Sequence, residues 1–193
     1  MFIPAFIRKV IHRIAPPGGE MLKILIVEDD SQLAATLQYL VEDNPRYRVI
    51  GVADDAAGAL GIAAREQPDL ALIDLHLARG STGFSVAARL NEDGVACLFV
   101  SGKAPSFPMP DLALGCLLKP FTGNDVHRAL AMAEDLIRGR ETLRPRMPEN
   151  LTFYEAAAEP VAAEEQTVFM PVARRSLTQR LRRWISGEAH LSR

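Results

Sequence analysis

At 193 residues the chain has room for one domain with a proper core plus appendages, and is too short for two ordinary domains. A hydrophobic content of 48%, a charged content of 24% and a net charge of -2 are those of a soluble globular protein, and they exclude a strong overall pull toward nucleic acid or membrane. No apolar run approaches the ~20 residues that span a bilayer, and Cys97 and Cys116 both stand in apolar runs, where free buried thiols suit a reducing cytoplasm.

In chain order, residues 1–20 place Phe2, Ile3, Phe6, Ile7, Val10, Ile11 and Ile14 on one helical face and Arg8, Lys9, His12 and Arg13 on the other. This basic amphipathic extension reads either as an interfacial helix or as a stretch ahead of a true start at Met21. From Met21 to about Arg140, short apolar runs alternate with amphipathic ones, the pattern of βαβ units around a parallel sheet. Strands are predicted at Lys23 to Val27, Tyr47 to Val52, Leu70 to Ile73, Ala96 to Val100 and Cys116 to Leu118. Helices are predicted at Ser31 to Glu42, Ala56 to Glu66, Thr82 to Asn91 and Thr122 to about Arg138, the last with Thr122 as N-cap. The result is an α/β doubly wound fold, a five-stranded parallel sheet with helices on both faces. Between the fourth and fifth strands, "GKAPSFPMPDLALG" carries Pro105, Pro108 and Pro110, so the fourth helix is expected to be short, irregular or missing.

Ligands of open α/β sheets bind at the carboxyl ends of the strands. Here the first strand ends in Glu28, Asp29 and Asp30, the third in Asp74, the fourth in Ser101 and the fifth in Lys119. At an effective dielectric of ~20, two carboxylates ~4 Å apart repel by about 4 kcal/mol, so this rim needs a cation. Lys119 neutralises part of the charge, and hard carboxylate oxygens suit Mg²⁺ for the rest. Asp30 or Ser31 is the expected cap of the next helix, and the histidines, His76 among them, lack a second metal-type ligand nearby in sequence.

The acidic pair after strand one, Asp74 after strand three, Ser101 after strand four and the Lys119-Pro120 pair after strand five resemble the receiver domain of two-component response regulators. The resemblance covers about Met21 to Arg140 and implies a flavodoxin-like strand order 2-1-3-4-5. It implies that Asp74 takes a phosphoryl group from a sensor histidine kinase or phosphotransfer protein, with Mg²⁺ held by Glu28, Asp29, Asp74 and the backbone carbonyl of His76. Ser101 and Lys119 would contact the phosphoryl oxygens, and a cis Lys119-Pro120 bond would aim the lysine into the pocket. Two departures concern the output side. Cys116 replaces the aromatic residue the family usually carries three before the lysine, and the loop after Asp74 lacks the family's frequent proline, although Gly80 and Gly83 permit a tight turn.

Residues 141–193 read as an acidic linker rich in Pro, Ala and Glu, followed by a basic amphipathic tail over 174–186 that carries Leu177, Leu181, Trp184 and Ile185 on one face. One basic helix cannot build a helix-turn-helix, so no direct DNA binding is expected. His76 stands where a haloacid-dehalogenase phosphatase would want its second aspartate, so an independent enzyme is not expected either. The reading is a stand-alone phosphoacceptor acting as shuttle, sink or protein-binding switch. The alternative is a scaffold or interaction module whose basic ends dock on an acidic partner or an anionic membrane surface.

Overall fold

The computed structural model describes residues 21–77, 80–140 and 147–154. The predicted N-terminal extension and the tail over 174–186 lie outside these residues. In chain order the elements are β1 (Leu22–Val27), α1 (Ser31–Glu42), β2 (Tyr47–Ala53), α2 (Ala56–Glu66), β3 (Leu70–Ile73), α3 (Gly83–Glu92), β4 (Ala96–Ser101), β5 (Gly115–Leu118), α4 (Gly123–Ile137) and β6 (Leu151–Phe153). The sheet order is β2-β1-β3-β4-β5-β6, parallel throughout except for the antiparallel pairing of β6 with β5.

The two-residue period of the strands sorts their side chains into two cores, one on each face of the sheet. Ile24 and Ile26 of β1, Leu70 and Leu72 of β3, and Leu98 and Val100 of β4 share a cluster with Leu37 and Val41 of α1 and with Val126, Leu130 and Ile137 of α4. Their alternates, Leu25, Val27, Ala71, Ile73, Cys97 and Phe99, pack with Ala59 and Ala63 of α2 and with Val86 and Leu90 of α3. Every residue of β3 and β4 is buried, as expected of strands covered on both faces. Phe99 anchors the second core through an edge-to-face contact with Phe84, centroids 5.4 Å apart. Both cysteines are free and buried.

The helix ends follow from local chemistry. Asp30 caps α1, its Oδ1 accepting from the amides of Gln32 (2.9 Å) and Leu33 (3.1 Å). Thr122 caps α4 in a reciprocal capping box with Asp125. No helix forms between β4 and β5, as the three prolines require. Instead a turn closes with the Leu112 and Ala113 amides donating to the Met109 carbonyl, and the Asn91 side chain ties it down by donating to the carbonyls of Asp111 (3.2 Å) and Leu112 (2.8 Å).

The five parallel strands stand in the expected order, and a segment of the stretch 141–193 joins them at the edge. Leu151–Phe153, inside that stretch, adds a sixth strand, and Leu151 is part of the first core. Gly115 makes the approach possible, because a Cβ there would overlap the Thr152 carbonyl oxygen. Three residues are too few to show a two-residue period, so the strand left no signal in a segment dominated by Pro, Ala and Glu.

Candidate functional site

The carboxyl ends of β1, β3 and β5 converge. Glu28 follows β1 directly, its amide donating to the Ala53 carbonyl (2.9 Å), and Asp74 follows β3 with its amide on the Val27 carbonyl (2.9 Å). Both acids are buried, with 2% and 7% of their surface exposed, while Asp29 beside them is exposed. Carboxylate oxygens of Glu28, Asp29 and Asp74 lie within 4.8 Å of one another. Lys119 reaches in from the end of β5, its Nζ 2.6 Å from Asp74 Oδ2 and 2.9 Å from Glu28 Oε2. The Lys119-Pro120 peptide bond is cis.

The loop after β3 holds the second oxygen of Asp74. The His76 amide donates to Asp74 Oδ1 (3.0 Å), and His76 forms a lone antiparallel bridge with Thr82, the N-cap of α3. Gly83 opens α3 against this loop, its amide on the Leu75 carbonyl (3.1 Å), and a Cβ there would overlap the Asp74 carbonyl oxygen. Gly80 takes the left-handed conformation, φ +74°. Ser101 is fully buried at the end of β4; its hydroxyl accepts the Lys103 amide (3.4 Å) and its carbonyl accepts the Lys119 amide (2.8 Å).

Of the three consecutive acids, the structure separates Asp30, turned away to cap α1, from Glu28 and Asp29, which join Asp74. Burial pushes the Glu28 pKa up; Lys119 offsets this in part, and the Asp74 charge adds to the rise. Burial works against the Lys119 ammonium, but its hydrogen bonds to Asp74 and Glu28 and their charges outweigh it and hold its pKa above the usual lysine value. Among the described residues, three carboxylates thus face one contacting ammonium. The residues fit Mg²⁺: the donors are all hard oxygens, two of them on buried acids, and the charge they carry is undercompensated. The imidazole of His76 is exposed, in line with a loop histidine.

Sequence reasoning missed Asn150. Its side-chain amide donates to the carbonyls of Leu118 (3.3 Å) and Pro120 (3.2 Å) on either side of Lys119, and to Asp125 Oδ2 (3.4 Å). Nothing short-range in "MPENLTF" marks it, because its partners stand 25 to 32 residues away.

The family model for the response regulator receiver domain matches residues 24–131, more than half of the chain. Among curated proteins, the chain is 37% identical over 73 residues to protein-glutamate methylesterase/protein-glutamine glutaminase 1 of Syntrophus aciditrophicus (strain SB), covering 38% of this chain and 21% of that one. It is 29% identical over 84 residues to the nitrate/nitrite response regulator protein NarP of Escherichia coli (strain K12), covering 44% and 39%. The chain therefore spans between about a fifth and two fifths of the length of these relatives. Among solved structures, it resembles the receiver domain of PhyR from Erythrobacter litoralis at 26% identity and a TM-score of 0.53, covering 60% of this chain and 91% of that one. It also resembles the receiver domain of a modulated diguanylate cyclase from Desulfovibrio desulfuricans G20 at 29% and 0.54, covering 63% and 100%. Among the described residues, no helix is long and apolar enough to cross a membrane. A doubly wound sheet in the order β2-β1-β3-β4-β5, acids after β1 and β3, a lysine after β5 and a matching family model lead to one conclusion: the chain belongs to the response regulator receiver domain family, whose members are phosphoacceptors of two-component systems.

Proposed function

We propose that Asp74 is the phosphoacceptor of a two-component phosphorelay, taking its phosphoryl group from a phosphohistidine on a sensor histidine kinase or phosphotransfer protein. The observation that carries this reading is Asp74 itself: a buried carboxylate at a strand end, fixed by Lys119 on one oxygen and the His76 amide on the other, beside two further acids. In the reaction, an Asp74 oxygen attacks phosphorus, the P–N bond to the imidazole breaks, and the imidazole leaves with the electron pair and takes up a proton. The product is an acyl phosphate. Lys119 offers an ammonium to the phosphoryl oxygens, Ser101 offers a hydroxyl from β4, and burial strengthens both contacts. Glu28, Asp29, Asp74 and the His76 carbonyl would hold Mg²⁺, which screens the repulsion between the acids and the incoming phosphoryl group.

The chain acts as an acceptor and switch in this reading, not as an independent catalyst, and works in the cytoplasm, where histidine kinases present their phosphohistidine. Its role downstream is that of shuttle, sink or protein-binding switch. Incubation with radiolabelled acetyl phosphate tests the chemistry: label that is alkali-labile, appears with Mg²⁺ and is lost in Asp29→Asn is expected. Labelling that ignores Mg²⁺, or none at all, would sink the reading.

A further inference from the structure

The family match ends at residue 131, yet the turn that carries Lys119 is gripped by a residue beyond it. The position of the Lys119 ammonium, 2.6 Å from Asp74 and 2.9 Å from Glu28, depends on the backbone of residues 118–120. One hold on that backbone comes from within the family fold: the Lys119 amide donates to the Ser101 carbonyl (2.8 Å). The others come from Asn150. Its Nδ2 donates to the carbonyls of both flanking residues, Leu118 and Pro120, and its own carbonyl accepts the Leu118 amide (2.7 Å). Nδ2 also lies 3.4 Å from Asp125 Oδ2, the carboxylate of the α4 capping box, so the same side chain joins the lysine turn to the start of the next helix.

Asn150 is fixed in its turn. Leu151, buried in the first core, closes a turn with its amide on the Pro148 carbonyl (3.1 Å), and β6 pairs with β5 as far as Gly115↔Phe153, with the Tyr154 amide on the Leu114 carbonyl (2.8 Å). An amide is well suited to this place, since it combines two donor hydrogens with a short arm facing two carbonyls and a carboxylate.

We propose that Asn150 is a positioning residue of the phosphoryl site: by clamping the peptide groups on both sides of Lys119 it aims the ammonium, which makes the segment Met147 to Tyr154 a working part of the receiver. The proposal rests on the reading of Asp74 as phosphoacceptor. It has a consequence of fixed sign. If docked β6 helps Lys119 hold a phosphoryl group, then by linkage a phosphoryl group on Asp74 tightens the docking of β6. The state of Asp74 is then passed to the chain that follows Tyr154 without a helix between β4 and β5 or an aromatic residue at position 116.

The test uses the full chain and beryllofluoride as the phosphoryl mimic. Asn150→Ala is expected to weaken beryllofluoride binding and slow phosphoryl uptake from acetyl phosphate by about tenfold, the scale of a small misplacement of a catalytic group. Its Mg²⁺ affinity should stay unchanged, because Glu28, Asp29 and Asp74 are untouched. Asn150→Asp keeps the shape but sets a carboxylate against three acceptors, and should do at least as much damage; Thr152→Ala, an exposed change on the same strand, should do none. Wild-type beryllofluoride binding in Asn150→Ala overturns the proposal, and so does a joint loss of Mg²⁺ and beryllofluoride binding, which marks general damage. Two amide-exchange measurements complete the test. Exchange at Tyr154 in the wild type should slow on adding beryllofluoride with Mg²⁺, and unchanged exchange overturns the coupling. Exchange at Lys119 in the unliganded Asn150→Ala protein should quicken, a readout that needs no phosphoryl chemistry. Faster exchange in a protein that takes no phosphoryl group means the clamp stands and the Asp74 reading fails; unaltered exchange in a protein that is phosphorylated means the reverse.

Discussion

The two ends of the sheet balance their buried charge in opposite ways. At the carboxyl ends, Glu28, Asp29 and Asp74 face a single contacting lysine among the described residues. At the amino ends, Glu134 of α4 meets Arg46 and Tyr47 at the start of β2, with Arg138 (2.9 Å) and Arg140 (3.0 Å) closing in from the end of its own helix. Both ends bury acids, but with opposite consequences. Burial alone would raise the Glu134 pKa; the hydrogen bond and charge of Arg46, the charge of Arg138 and the Tyr47 hydroxyl outweigh it and hold the pKa below the ordinary glutamate value. Tyr47, by burial and by the Glu134 charge, is pushed up to about 12. The amino end is satisfied within the chain and serves stability. Among the described residues the carboxyl end gathers more negative than positive charge, which is what the proposed site for a cation and a phosphoryl group requires.

The largest way to break this comparison is at Glu134. Glu134→Ala takes the carboxylate away from the Tyr47 hydroxyl and removes the acid that Arg46 and Arg138 pair with, and should lower the unfolding free energy by about 2 kcal/mol in urea titration, the usual scale for a buried hydrogen-bonding group that loses its partner. At the other end the sign should reverse. Glu28→Gln relieves repulsion with Asp74 and still accepts from Lys119, so the metal-free protein should gain about 1 to 2 kcal/mol, as functional acids commonly yield when neutralised. The same variant should bind Mg²⁺ more weakly. A loss of stability in metal-free Glu28→Gln would show that the rim is a structural ion pair like its counterpart.

A change of about 1 kcal/mol is expected at Tyr154, whose hydroxyl is buried without a hydrogen-bond partner among the described residues, its pKa pushed up to about 12 by burial. Tyr154→Phe removes a desolvated polar atom and should raise stability by that amount. The smallest effect sharpens the contrast through pH in the metal-free protein. Because the Glu28 pKa is raised on folding, its charge opposes folding at neutral pH, and the opposition fades as pH falls through its folded value, above the ordinary glutamate range. Because the Glu134 pKa is lowered, its contribution is whole above the unfolded glutamate pKa and is lost as pH falls through its folded value, below that range. Urea midpoints across acid pH should therefore lose the early gain in Glu28→Gln and the later loss in Glu134→Gln.

What the sequence revealed and what it hid divide along the range of the interactions. Strands such as Leu70–Ile73 and helices such as Ser31–Glu42 are written in local periodicity and caps, and both fall on their predicted bounds. The acids and the lysine of the rim were legible because each stands one or two steps past a strand, and the sheet order alone brings strand ends together. The absence of a helix between β4 and β5 was legible in Pro105, Pro108 and Pro110. The Arg46 and Glu134 pair, 88 residues apart, was not, since neither residue differs locally from a solvated surface charge. Nor was Asn150, whose role exists only once β6 has docked on β5.

Mapping of the phosphorylated residue tests the central claim most directly. After incubation with acetyl phosphate and Mg²⁺, borohydride reduction of an aspartyl phosphate converts that aspartate to homoserine, which peptide mass spectrometry places in the chain. Homoserine at position 74, and loss of all acid-stable label from Asp74→Asn with its fold intact, is the predicted result. Homoserine at Asp29 or at another acid, or full labelling of Asp74→Asn at the wild-type rate, would contradict it.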